Sequence, residues 1–374
     1  MNVCTHRERV ILALNHKEPD RVPIDLMGHA SMLVDKTYLR LRDYLGLSPI
    51  APVRSGTTAN YYDERILEYL DIDFRRLFLK KNQCKTKMHA DGSYTDEWGI
   101  QYRKTGLYYS IVEHPMKGIT TMDEVENYNW PKAQDMFIVD GLNKMAKDMY
   151  EKTDYALVAR NPVTTGFLDK ACFLMGMSEF FMTMAINPAL AHCIIDNLLR
   201  IHKDIYRLFL DEVGPYVQMV ETGDDLGTQE NLLISPEMYR EFIKPADREL
   251  FTLIHKKAPN AKLFKHSDGA IFEIIHDLIE IGVDVLNPVQ TSASGMGALR
   301  LKKVYGNEIS FHGSLEKMDT SLNNAVKEVK EQIDFLAPNG GYVVSTCNHL
   351  IDVTPESIIK VFNTAKEYGK YLKK

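Results

Sequence analysis

The segment Lys265-His266-Ser267-Asp268-Gly269 is the most informative short stretch of this sequence. It closes a run that predicts a β-strand, and in extended backbone His266 and Asp268 face the same way. Cys347 follows a later predicted strand. A nitrogen, an oxygen and a thiolate that converge suit Zn²⁺, with a fourth position open for substrate. His266, Asp268 and Cys347 are therefore predicted metal ligands. The alternative is a hydrogen-bonded His–Asp pair and a buried cysteine that acts as a small apolar residue.

Three carboxylates lie close together after another predicted strand, at Glu221, Asp224 and Asp225. Their mutual repulsion raises at least one pKa unless a cation or a hydrogen-bond donor compensates. Glu221 and Asp225 are therefore predicted as catalytic acid/base groups. The alternative is that the aspartates hold the loop by accepting backbone N–H bonds.

Amide and imidazole side chains follow further predicted strands, and they are candidates for substrate binding. The segment Asn287-Pro288-Val289-Gln290 fits amides that face a substrate and equally amides that fix a loop. The predicted substrate-binding residues are Asn161, Asn287, Gln290 and His312.

These residues must be positioned by elements that alternate regularly between strand and helix, which indicates a parallel sheet wrapped by helices. The simplest closed solution is a (β/α)8 TIM barrel, an α/β fold, as a single domain over residues 1–374. Tyrosines and turn residues between about 85 and 131 predict an antiparallel hairpin insertion after the second strand. The predicted strands are Val22–Met27, Arg76–Lys80, Ala156–Arg160, Val217–Thr222, Lys262–Lys265, Val283–Leu286, Ile309–Phe311 and Tyr342–Ser345.

Composition and charge exclude several classes of protein. The 374 residues carry a formal net charge of −6, with 45% hydrophobic and 26% charged residues, which is typical of a folded protein that does not coat nucleic acid. No run is apolar enough to span a membrane, and the charged N-terminal segment does not resemble a secretory signal, so we expect a cytoplasmic protein. The five cysteines form no CxxC pair, which makes a disulfide framework improbable.

Motifs for nucleotide and acyl-transfer chemistry are absent. The sequence has no GxxxxGK[ST], no GxGxxG between a strand and a helix, and no GxSxG. Reactions that depend on phosphate cradles or on a nucleophilic serine elbow are therefore disfavoured.

Several motifs, in order along most of the chain, resemble the uroporphyrinogen decarboxylase superfamily. They are the entry segment Thr5–Pro23, DEWG at Asp96, DDLG at Asp224, Ser235-Pro236, HSDG at His266, IGVDVLNPVQ, FHGSLE and APNGGYVVSTCN. The resemblance implies a TIM barrel. The family divides into true decarboxylases and relatives that transfer methyl groups to or from corrinoids.

The methyltransferase branch is the closer match. True decarboxylases carry an arginine-rich segment after the first strand to bind many carboxylates, whereas this chain has DLMGHASMLV there. The branch has H-x-C after strand five and a cysteine after strand eight, which bind zinc. His266 and Cys347 occupy these positions, and Asp268 stands where cysteine is usual. The resemblance implies a methylated corrinoid on a separate corrinoid protein, a small-molecule methyl donor or acceptor, and a possible homodimer.

Two other functions remain open from the sequence. A decarboxylase of uroporphyrinogen or a smaller tetrapyrrole would need a basic cluster at the barrel mouth, drawn from Arg54, Lys80, Lys81, Arg160 or Lys265. A non-catalytic barrel that binds a small molecule would have His266, Asp268 and Cys347 pointing away from one another.

Overall fold

The fold is described from a computed structural model of the chain, which covers residues 3–54, 57–82 and 86–371. Lys85, the predicted start of the insertion, lies outside these ranges, and so does Cys84. The strands in chain order are β1 Phe74–Leu77, β2 Lys80–Lys81, β3 Lys87–Met88, β4 Tyr94–Thr95, β5 Gln101–Thr105, β6 Tyr108–Glu113, β7 Phe137–Ile138, β8 Ala156–Ala159, β9 Met219–Gly223, β10 Lys262–His266, β11 Val285–Asn287, β12 Ser310–His312 and β13 Tyr342–Val343.

A curled parallel sheet of seven strands forms the centre of the molecule, in the order β1-β8-β9-β10-β11-β12-β13. Phe264 pairs with Glu221 on one side and Val285 on the other, so the carboxyl ends of β9, β10 and β11 lie level. Helices connect the parallel strands, as such connections require. The architecture is an α/β fold consistent with a TIM-like barrel.

The predicted first strand, Val22–Met27, was wrong as a regular strand. Pro23 has no N–H to donate, and Met27 has a φ of 61°. Ile24 nevertheless forms an isolated parallel bridge with Val344, and its carbonyl accepts a 3.1 Å hydrogen bond from the Asp73 N–H. The segment therefore links the two edges of the seven-stranded sheet.

The predicted second strand was placed too late in the chain. The structure has β1 at Phe74–Leu77, whereas Lys80 and Lys81 leave the parallel sheet and pair antiparallel with β7. Because β1 starts earlier in the chain than predicted, Arg76 lies within the strand, and its side chain is completely buried.

Helices follow the predicted alternation, with breaks where the backbone demands them. The predicted helix Asp135–Lys152 is divided before Gly141, whose φ is 76°. Tyr239–Ile243 forms a π-helical turn, and Phe272–Ile274 a 3₁₀ turn. The α-helices are α1 His6–Leu14, α2 Asp35–Tyr44, α3 Glu64–Tyr69, α4 Met122–Glu126, α5 Ala133–Met136, α6 Leu142–Lys152, α7 Phe167–Met175, α8 Met177–Ile186, α9 Pro188–Val213, α10 Pro236–Met238, α11 Lys244–Lys257, α12 Ile275–Glu280, α13 Ala298–Tyr305, α14 Leu322–Leu336 and α15 Pro355–Tyr368.

A separate four-stranded antiparallel sheet is formed by β3, β4, β5 and β6. Tyr94 stacks on Tyr102 across two of its strands, with ring centroids 5.2 Å apart. Trp98, in the turn before β5, is buried and meets the His202 ring of α9 edge-on. Trp98 therefore anchors this sheet to the helical layer.

The core has two parts, which lie on opposite faces of the parallel sheet. A large apolar cluster lies between the strands and the surrounding helices. A smaller cluster combines residues of the parallel sheet with two residues of α1, Val10 and Leu14. Its members from the sheet are Phe74, Ala156, Val158, Met219, Phe264, Val285 and Val343. This filled interior leaves the carboxyl ends of the strands as the place for polar chemistry. In the described ranges, no helix combines the length and apolarity that crossing a membrane requires.

Asp73 is a buried carboxylate that ties the N-terminal segment to β1. It accepts hydrogen bonds from Arg9 Nη1 at 2.6 Å, Arg21 Nη1 at 2.8 Å and Ile24 N at 2.7 Å. Burial alone would raise the pKa of Asp73, but the hydrogen bond from His6 and the charges of Arg21 and Arg9 outweigh it and lower the pKa.

We expect Asp73→Asn to lower the free energy of unfolding by about 3 kcal/mol or more, because it leaves two buried guanidinium groups without their full partner. Denaturant unfolding measures this effect. Asp352→Asn is the matched control, since Asp352 pairs with Arg40 on the surface, and it should unfold like wild type. Equal unfolding curves for Asp73→Asn and wild type would contradict the role of Asp73.

Candidate functional site

Three neighbouring strands, β10, β11 and β12, each end in a polar residue, and these residues are hydrogen-bonded in a row. His266 Nδ1 lies 2.6 Å from Asn287 Oδ1, and Asn287 Nδ2 lies 3.0 Å from both His312 Nδ1 and the His312 carbonyl oxygen. His312 Nε2 lies 2.8 Å from Asp25 Oδ2. The four side chains are buried. The row therefore runs from Asp25 to His266 across the strand ends.

The row defines which nitrogen of His266 is available. The His312 carbonyl can only accept, so Asn287 turns its NH₂ group towards it and its amide oxygen towards His266. An amide oxygen also only accepts, so His266 Nδ1 carries the hydrogen and the neutral ring leaves a lone pair on Nε2. A metal-binding histidine is commonly held by a hydrogen bond from its other nitrogen, as here.

Two carboxylates face that lone pair. His266 Nε2 lies 3.5 Å from Asp225 Oδ1 and 3.8 Å from Asp268 Oδ2. Ligand atoms of Asp225, His266 and Asp268 all lie within 4.8 Å of one another, as a metal site requires. The side chains of Asp225 and Asp268 are 44% and 32% exposed, so a substrate can reach them.

Asp268 has a polar atom with no protein partner. Its Oδ1 is buried and makes no hydrogen bond within the described structure. Burial raises the pKa of Asp268, the charges of Asp225 and Glu316 raise it further, and His266 opposes them. A cation between these groups would satisfy the free oxygen and relieve the repulsion between the carboxylates.

The two loops that carry the aspartates pack with almost no space between their backbones. A Cβ at Gly269, which has a φ of 91°, would lie 2.5 Å from the Gly227 carbonyl carbon. The Asp268 N–H donates to Asp225 Oδ1 at 3.0 Å. Glycine at both positions is therefore needed to bring Asp225 and Asp268 together.

Asp224 serves the loop and not the cluster. Its two carboxyl oxygens accept the N–H groups of Leu168 and Asp169, at the start of α7, at 2.9 and 3.0 Å. Burial raises the pKa of Asp224 to about 6. Asp169 Oδ2 in turn accepts the Asp225 N–H at 3.1 Å. These contacts agree with the alternative interpretation of the sequence, in which Asp224 holds the loop by accepting backbone N–H bonds.

Glu221 is completely buried between two arginines. Arg160 Nη1 donates to Oε2 at 3.0 Å, and Arg76 Nε and Nη2 both lie 3.3 Å from Oε1. Arg76 also binds Asp25 with its two terminal nitrogens. Burial alone would raise the pKa of Asp25, but Arg76 and His312 outweigh it and lower the pKa to about 2. Asp25 is thus held as a charged partner of Arg76, and Glu221 joins Arg76 to Arg160.

Arg76 is a site residue that the sequence analysis missed. The predicted strand began at this residue, so it was not assigned a role at the carboxyl end. The four consecutive buried residues of β1, Phe74 to Leu77, contain two arginines. Buried arginines need carboxylate partners, and this requirement is the signal that could have identified Arg76.

Cys347 is not brought into the cluster of ligand atoms. Its Sγ lies 3.5 Å from the Val289 carbonyl oxygen and 3.7 Å from that of Gly313, and the side chain is completely buried. Burial raises the pKa of Cys347 well above its usual value, and nearby Glu316 adds to the effect. Its role as a metal ligand stays a prediction.

Asn161 and Gln290 are engaged within the protein. Asn161 Oδ1 accepts from the Val163 N–H and from the Tyr206 hydroxyl, at 3.1 and 3.2 Å. Gln290 Oε1 accepts the Gly269 N–H at 2.8 Å. These contacts fix loops around the cluster, and substrate binding by either residue stays a prediction.

The fold and the cluster together define a class. Acidic and imidazole side chains converge at the carboxyl ends of parallel strands in a TIM-like α/β fold, which is where barrel enzymes carry their active sites. The family model for uroporphyrinogen decarboxylase (URO-D) matches residues 109–368, and the chain belongs to this family. The resemblance found in the sequence is thereby confirmed.

A solved structure supports the fold. A methyltransferase from Methanosarcina mazei is similar with a TM-score of 0.67 and 16% sequence identity, over 97% of this chain and 99% of that one. Xylanase 10B from Thermotoga maritima matches with a TM-score of 0.38 and 10% identity, over 63% of this chain and 81% of that one, which is too low to support an argument. No curated protein matches the sequence.

We expect Asn287→Leu to release the His266 ring, because Nδ1 loses its acceptor. A lost hydrogen bond of about 1 kcal/mol would lower the ratio of the Nδ1–H to the Nε2–H form about fivefold. Ring ¹⁵N NMR of labelled histidine, assigned with His266→Gln, measures the ratio. Asn143→Leu is the control, since Asn143 binds the Glu212 carbonyl on the surface. An unchanged ratio in Asn287→Leu would contradict the derived tautomer.

Proposed function

We propose that the protein is a zinc-dependent methyltransferase that moves a methyl group between a corrinoid, carried by a separate protein, and a small-molecule acceptor or donor. The observation that carries the proposal is the group Asp225, His266 and Asp268, with ligand atoms within 4.8 Å at the strand ends of a URO-D family member. The similarity in fold to a methyltransferase supports it.

The residues present fit a divalent cation. One imidazole nitrogen and two carboxylate oxygens are ligands that zinc accepts, and the unpartnered Oδ1 of Asp268 needs a positive partner. This donor group is harder than one rich in sulfur, so it also suits an oxygen or amine group on the substrate. Zinc bound here would lower the pKa of a substrate thiol or hydroxyl and so make it a nucleophile at neutral pH.

The protein's own part in the reaction is to orient these groups and to accept a proton. Asn287 holds His266 with Nε2 facing the cluster. Asp225, which is the most exposed of the three, is placed to take the proton that a substrate thiol loses. A corrinoid presented by its carrier protein would supply the methyl group: the new sulfur–carbon bond would replace the cobalt–carbon bond, whose electron pair would stay on cobalt.

Glu221 has a different part in this proposal from Asp225. Each of its oxygens already accepts a hydrogen bond from an arginine, as suits a carboxylate that positions the two guanidinium groups. Its predicted role as an acid or base is therefore less favourable than a role in positioning Arg76 and Arg160.

Decarboxylation of a tetrapyrrole is less favoured. Of the candidate cations, Lys265 binds Asp247 in the interior, and Lys81 pairs with Glu97. Arg160 is bound by Glu221. Substrate carboxylates would also meet the acidic pair Asp225 and Asp268. Arg54 has no ion-pair partner among the described residues, but a single arginine does not make the clamp that a multiply charged anion needs.

We expect metal-free protein to bind one equivalent of Zn²⁺ in titration calorimetry. His266→Gln and Asp268→Asn should weaken binding more than about 10-fold, because each removes a ligand. His255→Gln is the control, since that ring binds the Gly282 carbonyl elsewhere. Asp225→Asn and Cys347→Ser identify the third ligand, which is the residue whose change weakens binding. No stoichiometric zinc in wild type would remove the metal from the proposal.

We expect the zinc-loaded protein to demethylate methylcobalamin in the presence of a thiol. The absorbance change from methylcobalamin to cob(I)alamin, recorded under anaerobic conditions, measures the reaction. His266→Gln should lower the rate at least about 100-fold, since the ion that activates the thiol is lost. The competing test supplies uroporphyrinogen and analyses its products. Decarboxylated product together with an unchanged methylcobalamin spectrum would contradict methyl transfer.

A further inference from the structure

Arg54 is a half-buried arginine whose charge has no carboxylate partner. Its Nε donates to the Ala59 carbonyl oxygen at 2.6 Å, which orients the guanidinium, and in the described residues its terminal nitrogens form no ion pair. Burial and the neighbouring charge of Arg160 lower the pKa of Arg54 to about 10. Asp35 is nearby, but its carboxylate is bound by Asn60. An arginine in this position favours an anion from outside.

Not every donor of the arginines around Arg54 has a partner. Arg76 and Arg160 share Glu221, and Arg76 also binds Asp25. The Nε of Arg160 is buried and unpartnered. His349 adds no charge, because its Nδ1 accepts the Met32 N–H at 3.1 Å and the ring is therefore neutral. The unpartnered Arg160 Nε, close to Arg54, is the second indication of an anion.

His29 connects this basic region to the metal cluster. Its Nδ1 accepts a 2.7 Å hydrogen bond from Arg160 Nη1, and a guanidinium can only donate, so the ring is neutral with its hydrogen on Nε2. The ring lies beside that of His266, with centroids 4.5 Å apart. A Cβ at Gly223 would lie 3.0 Å from Nε2, so glycine keeps this space open. His29 therefore offers a fixed N–H donor next to a metal-binding residue.

We infer that the substrate of this site is a small molecule with a carboxylate group, bound by Arg54 and by the Nε2–H of His29, so that its reacting group faces Asp225, His266 and Asp268. The planar guanidinium offers paired donors that match a carboxylate. The inference names the substrate class of the proposed methyltransferase and rests on that function for the reaction alone. Binding of the carboxylate is independent of it.

The test is equilibrium binding of 3-mercaptopropionate and of its neutral amide, 3-mercaptopropionamide, by calorimetry without corrinoid. We expect wild type to bind the acid at least about 10-fold more tightly than the amide, since a charge-assisted hydrogen bond contributes about 1.5 kcal/mol or more. Arg54→Gln should abolish the difference, and Arg54→Lys should retain part of it. Arg103→Gln, which changes an exposed arginine paired with Asp91, should retain all of it.

Equal affinities of wild type for acid and amide would overturn the inference, and so would full discrimination in Arg54→Gln. If Arg54→Gln does not fold, as judged by circular dichroism, the comparison of acid with amide on wild type decides alone. Preference for the acid without methyl transfer would leave the anion site in place and reject the proposed function. Methyl transfer with no preference for the acid would support the proposed function and reject the anion site.

Discussion

The orientation of one buried amide, Asn287, is the interaction on which the site depends. The amide cannot turn over without placing its NH₂ group against the Nδ1–H of His266 and its oxygen against the His312 carbonyl. Both changes would leave buried polar groups unpaired, which is costly in a low-dielectric interior. One backbone carbonyl at the end of β12 therefore decides which nitrogen of His266 faces Asp225 and Asp268.

Charge is divided across the strand ends. The arginine-rich side, with Arg76 and Arg160, is held by Asp25 and Glu221, so its geometry is fixed by short charged contacts. The acidic side, with Asp225 and Asp268, has no cation among the described residues within ion-pair distance other than His266, should it be protonated. His29 and His266 lie between the two sides with their rings in contact. A site built this way suits a ligand with a negative end and a group that binds a metal.

Close backbone packing makes the acidic side possible. Gly227 and Gly269 allow the loops after β9 and β10 to touch, and the Asp268 N–H reaches Asp225 directly. Asp224 and Asp169 hold the same loop to the start of α7. The two carboxylates repel each other. Hydrogen bonds from backbone N–H groups, together with the contacts of the side chains, therefore keep them close.

The sequence by itself determined what depends on local periodicity and spacing. Alternation of strands and helices, the near-complete bounds of β10, and the facing of His266 and Asp268 follow from patterns within a few residues. The sequence also identified Asp225 as a candidate acid or base, and it identified the family to which the chain belongs. Only the tertiary structure decided that Asp225 joins His266 and Asp268 while the Cys347 thiol contacts two carbonyls, and that Arg76 binds both Asp25 and Glu221. The reason is physical: local patterns record which side of an element is buried, whereas partners far apart in the chain depend on the curl and register of the sheet.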